Sequence, residues 1–247
     1  MSVDRYDLIG HGYRRQRLPD PRIASAIDIA LGDARTVLNV GAGTGSYEPA
    51  NRKVVAVEPS WEMIQQRPAG AAPAVRAVAE TLPFADATFD ATLAVLTVHH
   101  WSDLEAGLAE LRRVSRRQVV LTWDQAVFAR FWLVTEYLPE IAEHERALPG
   151  LAAVRDGLDA TVDPVLVPAD CIDGFLGAYW RRPAAYLDPQ VRAAMSGIAL
   201  LDQQAVTPAL ERLRSDLTTG RWHRRHADLQ AMDSMDLGYR LLVGGAG

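Results

Sequence analysis

Lysine is all but missing from this chain. Lys53 is the single lysine among 26 basic residues in a sequence of 247. It lies outside the glycine-rich stretch at 41–45, so a phosphate-cradling loop of the Gly-Lys-Ser/Thr kind is excluded. Cysteine is equally scarce. Cys171 alone excludes an internal disulfide and a multi-cysteine metal site; nothing basic adjoins it, so it reads as a packed thiol rather than a nucleophile. The opening MSVDRYDLIG has no long apolar core, and no apolar run reaches membrane-spanning length. Neither a signal peptide nor membrane insertion is expected, and a free thiol then points to a reducing, cytoplasmic setting. A block of positive charge is lacking too. The net charge is −5, and the arginines are scattered as pairs such as Arg112-Arg113 and Arg224-Arg225. Such pairs read as solvated helix faces, and a mildly acidic chain is repelled by phosphate backbones. The expected partner is therefore a small molecule, not nucleic acid and not a membrane.

What the chain does have is a regular alternation. Short apolar runs at Thr36-Val40, Lys53-Val57, Ala74-Val78, Phe89-Val95 and Gln118-Trp123 are apolar throughout rather than alternating. That pattern predicts strands covered on both faces. Helical patterns separate them at Pro21-Leu31, Ser60-Arg67 and Asp103-Val114. Repeated strand–helix–strand units predict an α/β fold with a doubly wound, mostly parallel sheet. The second half reads differently. Ala126-Leu148 is aromatic and helical, Thr161-Val167 is a strand confined by Pro164 to an edge or bulge, helices follow near Pro189-Leu200 and Pro208-Leu217, and a last strand lies near Leu237-Val243. A helical cap over the carboxyl edge of the sheet is expected from about residue 125 to 220.

The stretch VLNVGAGTGS, residues 37–46, follows the first strand. A dinucleotide loop needs a glycine at its sixth position so that a helix packs behind the pyrophosphate. Here the third glycine is at the fifth position, Gly45, followed by Ser46. Only eight residues, Ser46 to Lys53, reach the next strand, room for about two helical turns at most. A short helix offers an anion only a weak positive end, and Glu48 adds a carboxylate there. Both features disfavour pyrophosphate and suit a ligand carrying a cationic sulfur and an ammonium. Strand two ends in Val57-Glu58-Pro59, where a carboxylate can accept from both hydroxyls of a ribose.

Read together, VLNVGAGTGS, VVAVEPSWEMI and AVAETLPFADATFDATLAVLTVHHWSD resemble the class I S-adenosylmethionine (SAM)-dependent methyltransferases, and within them the small-molecule type 11, ubiquinone-biosynthesis-like group. The resemblance covers residues 1–124. It implies a Rossmann-like seven-stranded sheet with the last strand antiparallel, and SAM as cofactor. It implies a lid at 1–30, a SAM-binding core at 31–124, a substrate cap at 125–220 and a final strand region at 221–247. By position it sets Gly41, Ala42 and Gly43 against the cofactor and Glu58 on the ribose hydroxyls. Pro59, Ser60 and Met63 flank the adenine, Ala79 and Glu80 meet its edge, and the backbone of Ala94 and Val95 meets the methionine ammonium. Tyr6, Tyr13 and Arg14 resemble a lid segment. Three positions depart from the family: Asn39 and Val78 replace acidic residues, and Ser115-Arg116-Arg117 replaces a Pro-Gly-Gly turn.

For chemistry, the sequence offers His99-His100 after strand four and Trp123-Asp124 after strand five. Neighbouring strands lie about 4.8 Å apart, so Asp124 is expected to orient one histidine, which takes the proton of a hydroxyl acceptor. Adjacent side chains are expected to diverge, with His99 facing substrate. The expected reaction is O-methylation of a small metabolite; a non-methylating use of bound SAM in cyclisation or rearrangement, and a nicotinamide-dependent oxidoreductase, are the alternatives. Phe128, Phe131, Trp132, Tyr137, Tyr179 and Trp180 either line an apolar pocket in the cap or form the cap's own core. His223 and His226 lack the acidic or cysteine partners of a metal pair and read as a solvated turn.

Overall fold

Asp20 begins the first element of the computed structural model, which describes residues 16–245. Its carboxylate accepts the Arg22 N–H at 3.0 Å, Pro21 pre-sets the first turn, and helix α1 runs Pro21–Leu31. Ile23, Ile27 and Leu31 are its buried face. Strands β1 (Thr36–Val40), β2 (Lys53–Val57) and β4 (Phe89–Val95) occupy the ranges of the apolar runs. Strand β3 is only Ala74–Val75. Helix α2 (Trp61–Gln65) is capped by the Ser60 hydroxyl, and α3 (Leu104–Val114) by Asp103. Strand β5 (Ser115–Trp123) starts three residues before its apolar run, because the chain enters it directly from α3.

The sheet order is β3-β2-β1-β4-β5-β9-β6. The first five strands are mutually parallel. Strand β9 (Tyr239–Gly244) runs antiparallel between β5 and β6 (Thr161–Pro164). The expected seven strands with the last one reversed are therefore present, and Pro164 closes the outermost strand, where a missing N–H costs no ladder bond. Period-2 alternation sends Val37, Leu93, Val119 and Leu241 into one core with α1 and the cap. Leu38, Val40, Val120 and Leu242 go into a second core with α3 and α6 (Leu151–Leu158). Two covered faces are why the strands read as apolar at every position.

The cap departs from its sequence reading. Ala126-Leu148 is not one helix. It breaks into α4 (Gln125–Phe128), a π-turn at Leu133–Tyr137 and α5 (Glu140–Glu145); Pro139 interrupts the ladder. Helices α7 (Pro189–Ala193), α8 (Ser196–Ala199), α9 (Gln203–Thr218) and α10 (Arg221–Arg225) follow. A two-stranded ribbon, β7 (Val167–Pro168) with β8 (Ser234–Met235), ties the cap's ends together. The segment holding His223 is no solvated turn: it forms α10, whose Trp222 is fully buried edge-on against Trp132, ring centres 5.2 Å apart. Phe131, Trp132, Tyr137 and Trp180 are likewise buried, so of the two readings for the cap aromatics, most of them form the cap's own core. Cys171 is buried as expected, and burial pushes its thiol up to about 12.

Candidate functional site

The crevice opens at the carboxyl ends of β1 and β4, where strand order reverses. The loop after β1 is clipped to β2: the N–H groups of Gly41 and Ala42 both donate to the Val57 carbonyl, at 2.9 and 3.0 Å. Gly41 has φ 69°, and a Cβ there would sit 2.0 Å from the Thr97 hydroxyl oxygen, so only glycine fits. Gly43 has φ 51° and faces open space. The carboxylate of Glu58, only 6% exposed, is oriented by the Gly43 N–H at 2.7 Å and the Ser60 N–H at 2.9 Å. The expected helix after the loop does not form; residues 46–52 are turns. Their side chains point inward instead. Tyr47 donates to Asp173 at 2.9 Å, while Glu48 pairs with Arg67 and accepts from Ala72 N–H at 3.1 Å. No helix end is therefore present to attract a pyrophosphate.

A cavity of about 600 Å³ fills this crevice. Gly41, Ala42, Gly43, Glu58, Pro59, Ser60, Met63, Ala79, Glu80 and Val95 all line it, bringing together residues far apart in sequence. Ala94 does not: it is fully buried on the α3 face, one step out of phase, and Val95, Leu96 and Thr97 form the wall. Tyr6, Tyr13 and Arg14 lie outside the described residues. Glu80 caps the turn before α3, accepting from the Ser102 N–H and hydroxyl at 2.7 and 2.8 Å. Burial pushes its pKa up, but the Ser102 hydroxyl and neighbouring amides outweigh that and hold it below the usual range.

The donor set fits SAM. The Asn39 amide oxygen is buried on the cavity wall without a hydrogen-bond partner, while its nitrogen donates to Glu48 at 3.3 Å. An acceptor is thus kept for an ammonium even though the family's carboxylate is absent. Gly43, with open space where a side chain would be, leaves backbone exposed for close approach, and Glu58 waits one strand over.

A second, smaller cavity of about 80 Å³ adjoins the first, and Arg17, Leu96 and His100 line both. Leu96 has φ 51°, a left-handed backbone at a non-glycine residue on the shared wall; such strain is concentrated at functional sites. His99 and His100 do not diverge. In the tight turn Val98–His100 their rings lie 3.7 Å apart, and both line the inner cavity. Burial, then the nearby His100 and Arg17, hold His99 well below its ordinary pKa, and its Nδ1 is shut from solvent without a partner.

Asp124 is not brought to either histidine. Its carboxylate caps α4, accepting from Ala126 and Val127 at 2.9 and 3.4 Å, its own N–H donates to Gly238, and it lines neither cavity. The carboxylate that does enter the inner cavity is Glu145, on α5. The signal was present in the sequence: Leu138, Ile141 and Glu145 recur at helical spacing, so the glutamate occupies the third place of a buried stripe. Arg17 and Phe128 also line this cavity; of the six cap aromatics, Phe128 alone does so.

Residues 38–122, from β1 to the end of β5, match the protein-family model described as "Methyltransferase domain". Over 127 residues the chain is 33% identical to demethylmenaquinone methyltransferase of Thermobifida fusca (strain YX), a match covering 46% of this chain and 53% of that one. It is 30% identical over 166 residues to the demethylmenaquinone methyltransferase of Corynebacterium urealyticum, covering 60% and 69%. The chain thus spans about half the length of the first of these relatives. A crystal structure from Anabaena variabilis, of a protein assigned as a methyltransferase of an antibiotic biosynthesis pathway, superposes with TM-score 0.86 at 34% identity, covering 94% of this chain and 99% of that one.

Proposed function

This chain belongs to the class I SAM-dependent methyltransferases, and from that premise we propose that it methylates a hydroxyl oxygen of a small metabolite whose reacting end enters the inner cavity. The observation that carries the reading is the pair of adjoining cavities with a common wall of Arg17, Leu96 and His100. When bound, SAM supplies a methyl group on a positively charged sulfur, already poised to leave. The protein's tasks are to align the acceptor with that methyl, exclude water and take up a proton.

Each task has residues to perform it. Glu58 is oriented to accept from ribose hydroxyls, the Asn39 amide oxygen accepts from the ammonium, and Met63, Pro59 and Ser60 bound the adenine end. Leu96, left-handed on the border of both cavities, flanks the place where methyl and acceptor meet. His100 on the shared wall and His99 beside it in the inner cavity face the acceptor and hydrogen-bond its hydroxyl, His99 as a neutral imidazole. The inner cavity is lined by the cap: Leu148, Leu176, Met195 and Leu200 give it an apolar side. That lining, and demethylmenaquinone as the substrate named for two relatives, favour an apolar ring compound as the acceptor.

The test is direct. Titration calorimetry with S-adenosylhomocysteine is expected to give binding at one site per chain, and incubation with SAM and hydroxylated rings to release S-adenosylhomocysteine. Binding without release on any acceptor would leave a cofactor-binding protein that does not transfer methyl groups.

A further inference from the structure

We propose that Glu145 is the catalytic base, taking the acceptor's hydroxyl proton in the inner cavity. The proposal rests on the methyltransferase reading and names the base and the acceptor class it selects.

The placement is unusual for a glutamate. Glu145 is 5% exposed, on the face of α5 that carries Ile141 into the core. Its one described partner is the Trp123 indole, whose Nε1 donates to Oε2 at 3.1 Å. No described cation forms an ion pair with it, although a buried carboxylate ordinarily needs one. The position is also held from behind. The Gln125 side-chain amide donates to the carbonyls of Glu145, Leu148 and Pro149 at 3.0, 3.3 and 3.3 Å, fixing the end of α5 to the start of α4. A glutamate kept here without a cation, against the stability of the fold, is explained by what it meets in the cavity.

The titratable groups sharing that cavity are Arg17 from the segment before α1, His99 and His100 from the turn after β4, His144 from α5 itself and Tyr239 from β9. Arg17 is already engaged, donating to Asp173 at 2.6 Å, and the Tyr239 hydroxyl accepts the Gly177 N–H at 3.2 Å. His99 is held neutral and is a weak base. Burial raises the Glu145 carboxyl to about 7, with the Trp123 N–H opposing it in part. A base works best with a pKa near the working pH.

The step balances. Glu145 carboxylate takes the hydroxyl proton as the bond between oxygen and methyl carbon forms. The sulfur–methyl bond breaks with its electron pair left on sulfur, which becomes a neutral thioether, and Glu145 ends as a neutral carboxylic acid. A neutral O–H acceptor is what a lone desolvated carboxylate serves. The cavity, at about 80 Å³, is smaller than a hole of about 150 Å³ that admits benzene, so it takes the reacting end of the acceptor.

The experiment compares wild type with Glu145→Gln, which keeps the oxygen that accepts from Trp123. The probes are catechol, whose hydroxyls are protonated near neutral pH, 4-nitrocatechol, which is largely ionised already, and benzylamine. S-adenosylhomocysteine binding by calorimetry is expected to be the same in both proteins. With catechol, Glu145→Gln is expected to lose about 100-fold in kcat with little change in KM; with 4-nitrocatechol the loss shrinks to about fivefold or less, because no proton remains to be taken. Near-wild-type turnover of catechol by the variant, an equal loss on both catechols, or a wild type that uses benzylamine alone or no probe at all, overturns the assignment of Glu145 while leaving the cofactor site intact. Failure of wild type to bind S-adenosylhomocysteine overturns the methyltransferase reading itself, and this inference with it.

Discussion

Arg17 and Asp173 join two parts of the chain 156 residues apart: the Arg17 Nε donates to a fully buried Asp173 oxygen at 2.6 Å. The same carboxylate accepts from the Tyr47 hydroxyl at 2.9 Å, and Ser46 donates to the Arg17 carbonyl at 3.0 Å. One buried aspartate therefore fastens the segment before α1, the turn after the glycine loop and the cap at the wall between the two cavities.

Replacing that acceptor is expected to be costly. Asp173→Ala removes the partner of a guanidinium and a phenol in a dry site, and about 3–5 kcal/mol of stability is expected to be lost, as read by urea unfolding. S-adenosylhomocysteine affinity is expected to fall with it, since Tyr47 and Ser46 border the larger cavity. A change below about 1 kcal/mol would mean the linkage is not structural.

Glu58→Gln keeps the shape of the side chain and removes its charge. Charge-assisted hydrogen bonds contribute about 1.5–3 kcal/mol, so the dissociation constant for S-adenosylhomocysteine is expected to rise at least about tenfold. Calorimetry reads this. An unchanged constant would remove Glu58 from the ribose.

Glu145 gives a stability prediction with a definite sign. Its carboxyl is raised from 4.5 to about 7 in the folded protein. The folded state thus binds the proton more tightly than the unfolded chain. The stabilisation is full below pH 4.5, declines as pH rises through 7, and is absent above it. Across that window about 3 kcal/mol is at stake, to order of magnitude. Glu145→Gln is expected to unfold at a higher denaturant concentration than wild type at pH 8, with the difference vanishing near pH 4. A difference that does not depend on pH would contradict the raised carboxyl.

Asp124→Asn separates a capping role from a catalytic one. Asparagine caps a helix as well as aspartate, so stability and turnover are expected to stay within about twofold of wild type. A loss of two or more orders of magnitude in kcat, of the kind removal of a general base gives, would restore Asp124 to the reaction.

The sheet was legible because strands covered on both faces leave an unambiguous apolar signature: β1, β2 and β4 begin and end where their runs do. The cofactor cavity was legible because its residues follow strand ends in a fixed order, Gly41 to Gly43, then Glu58, then Ala79 and Glu80. The one slip there, Ala94 for the wall formed by Leu96, comes from the left-handed backbone at Leu96, which no propensity signals in a leucine. The acceptor side was harder. Asp124 stands beside the histidines by strand adjacency alone, but its carboxylate is used by the next helix. Glu145 and Arg17 arrive from the cap and from the segment before α1; the helical spacing of Leu138, Ile141 and Glu145 marks the glutamate as buried, but which cavity it reaches is set by tertiary packing that spacing does not encode. The cap aromatics followed the same logic: big rings first satisfy the core, and of the six Phe128, itself in the core, alone also borders the inner cavity.

The central claim, that methyl donor and acceptor meet where the two cavities adjoin, along the wall residues Arg17, Leu96 and His100, is tested most directly by a crystal structure with S-adenosylhomocysteine bound. The expected result has ribose hydroxyls on Glu58, the ammonium on the Asn39 side chain and the sulfur against Leu96 and His100, facing the cavity that contains Glu145. A ligand lying in the same crevice with its sulfur turned away from that wall would contradict the account.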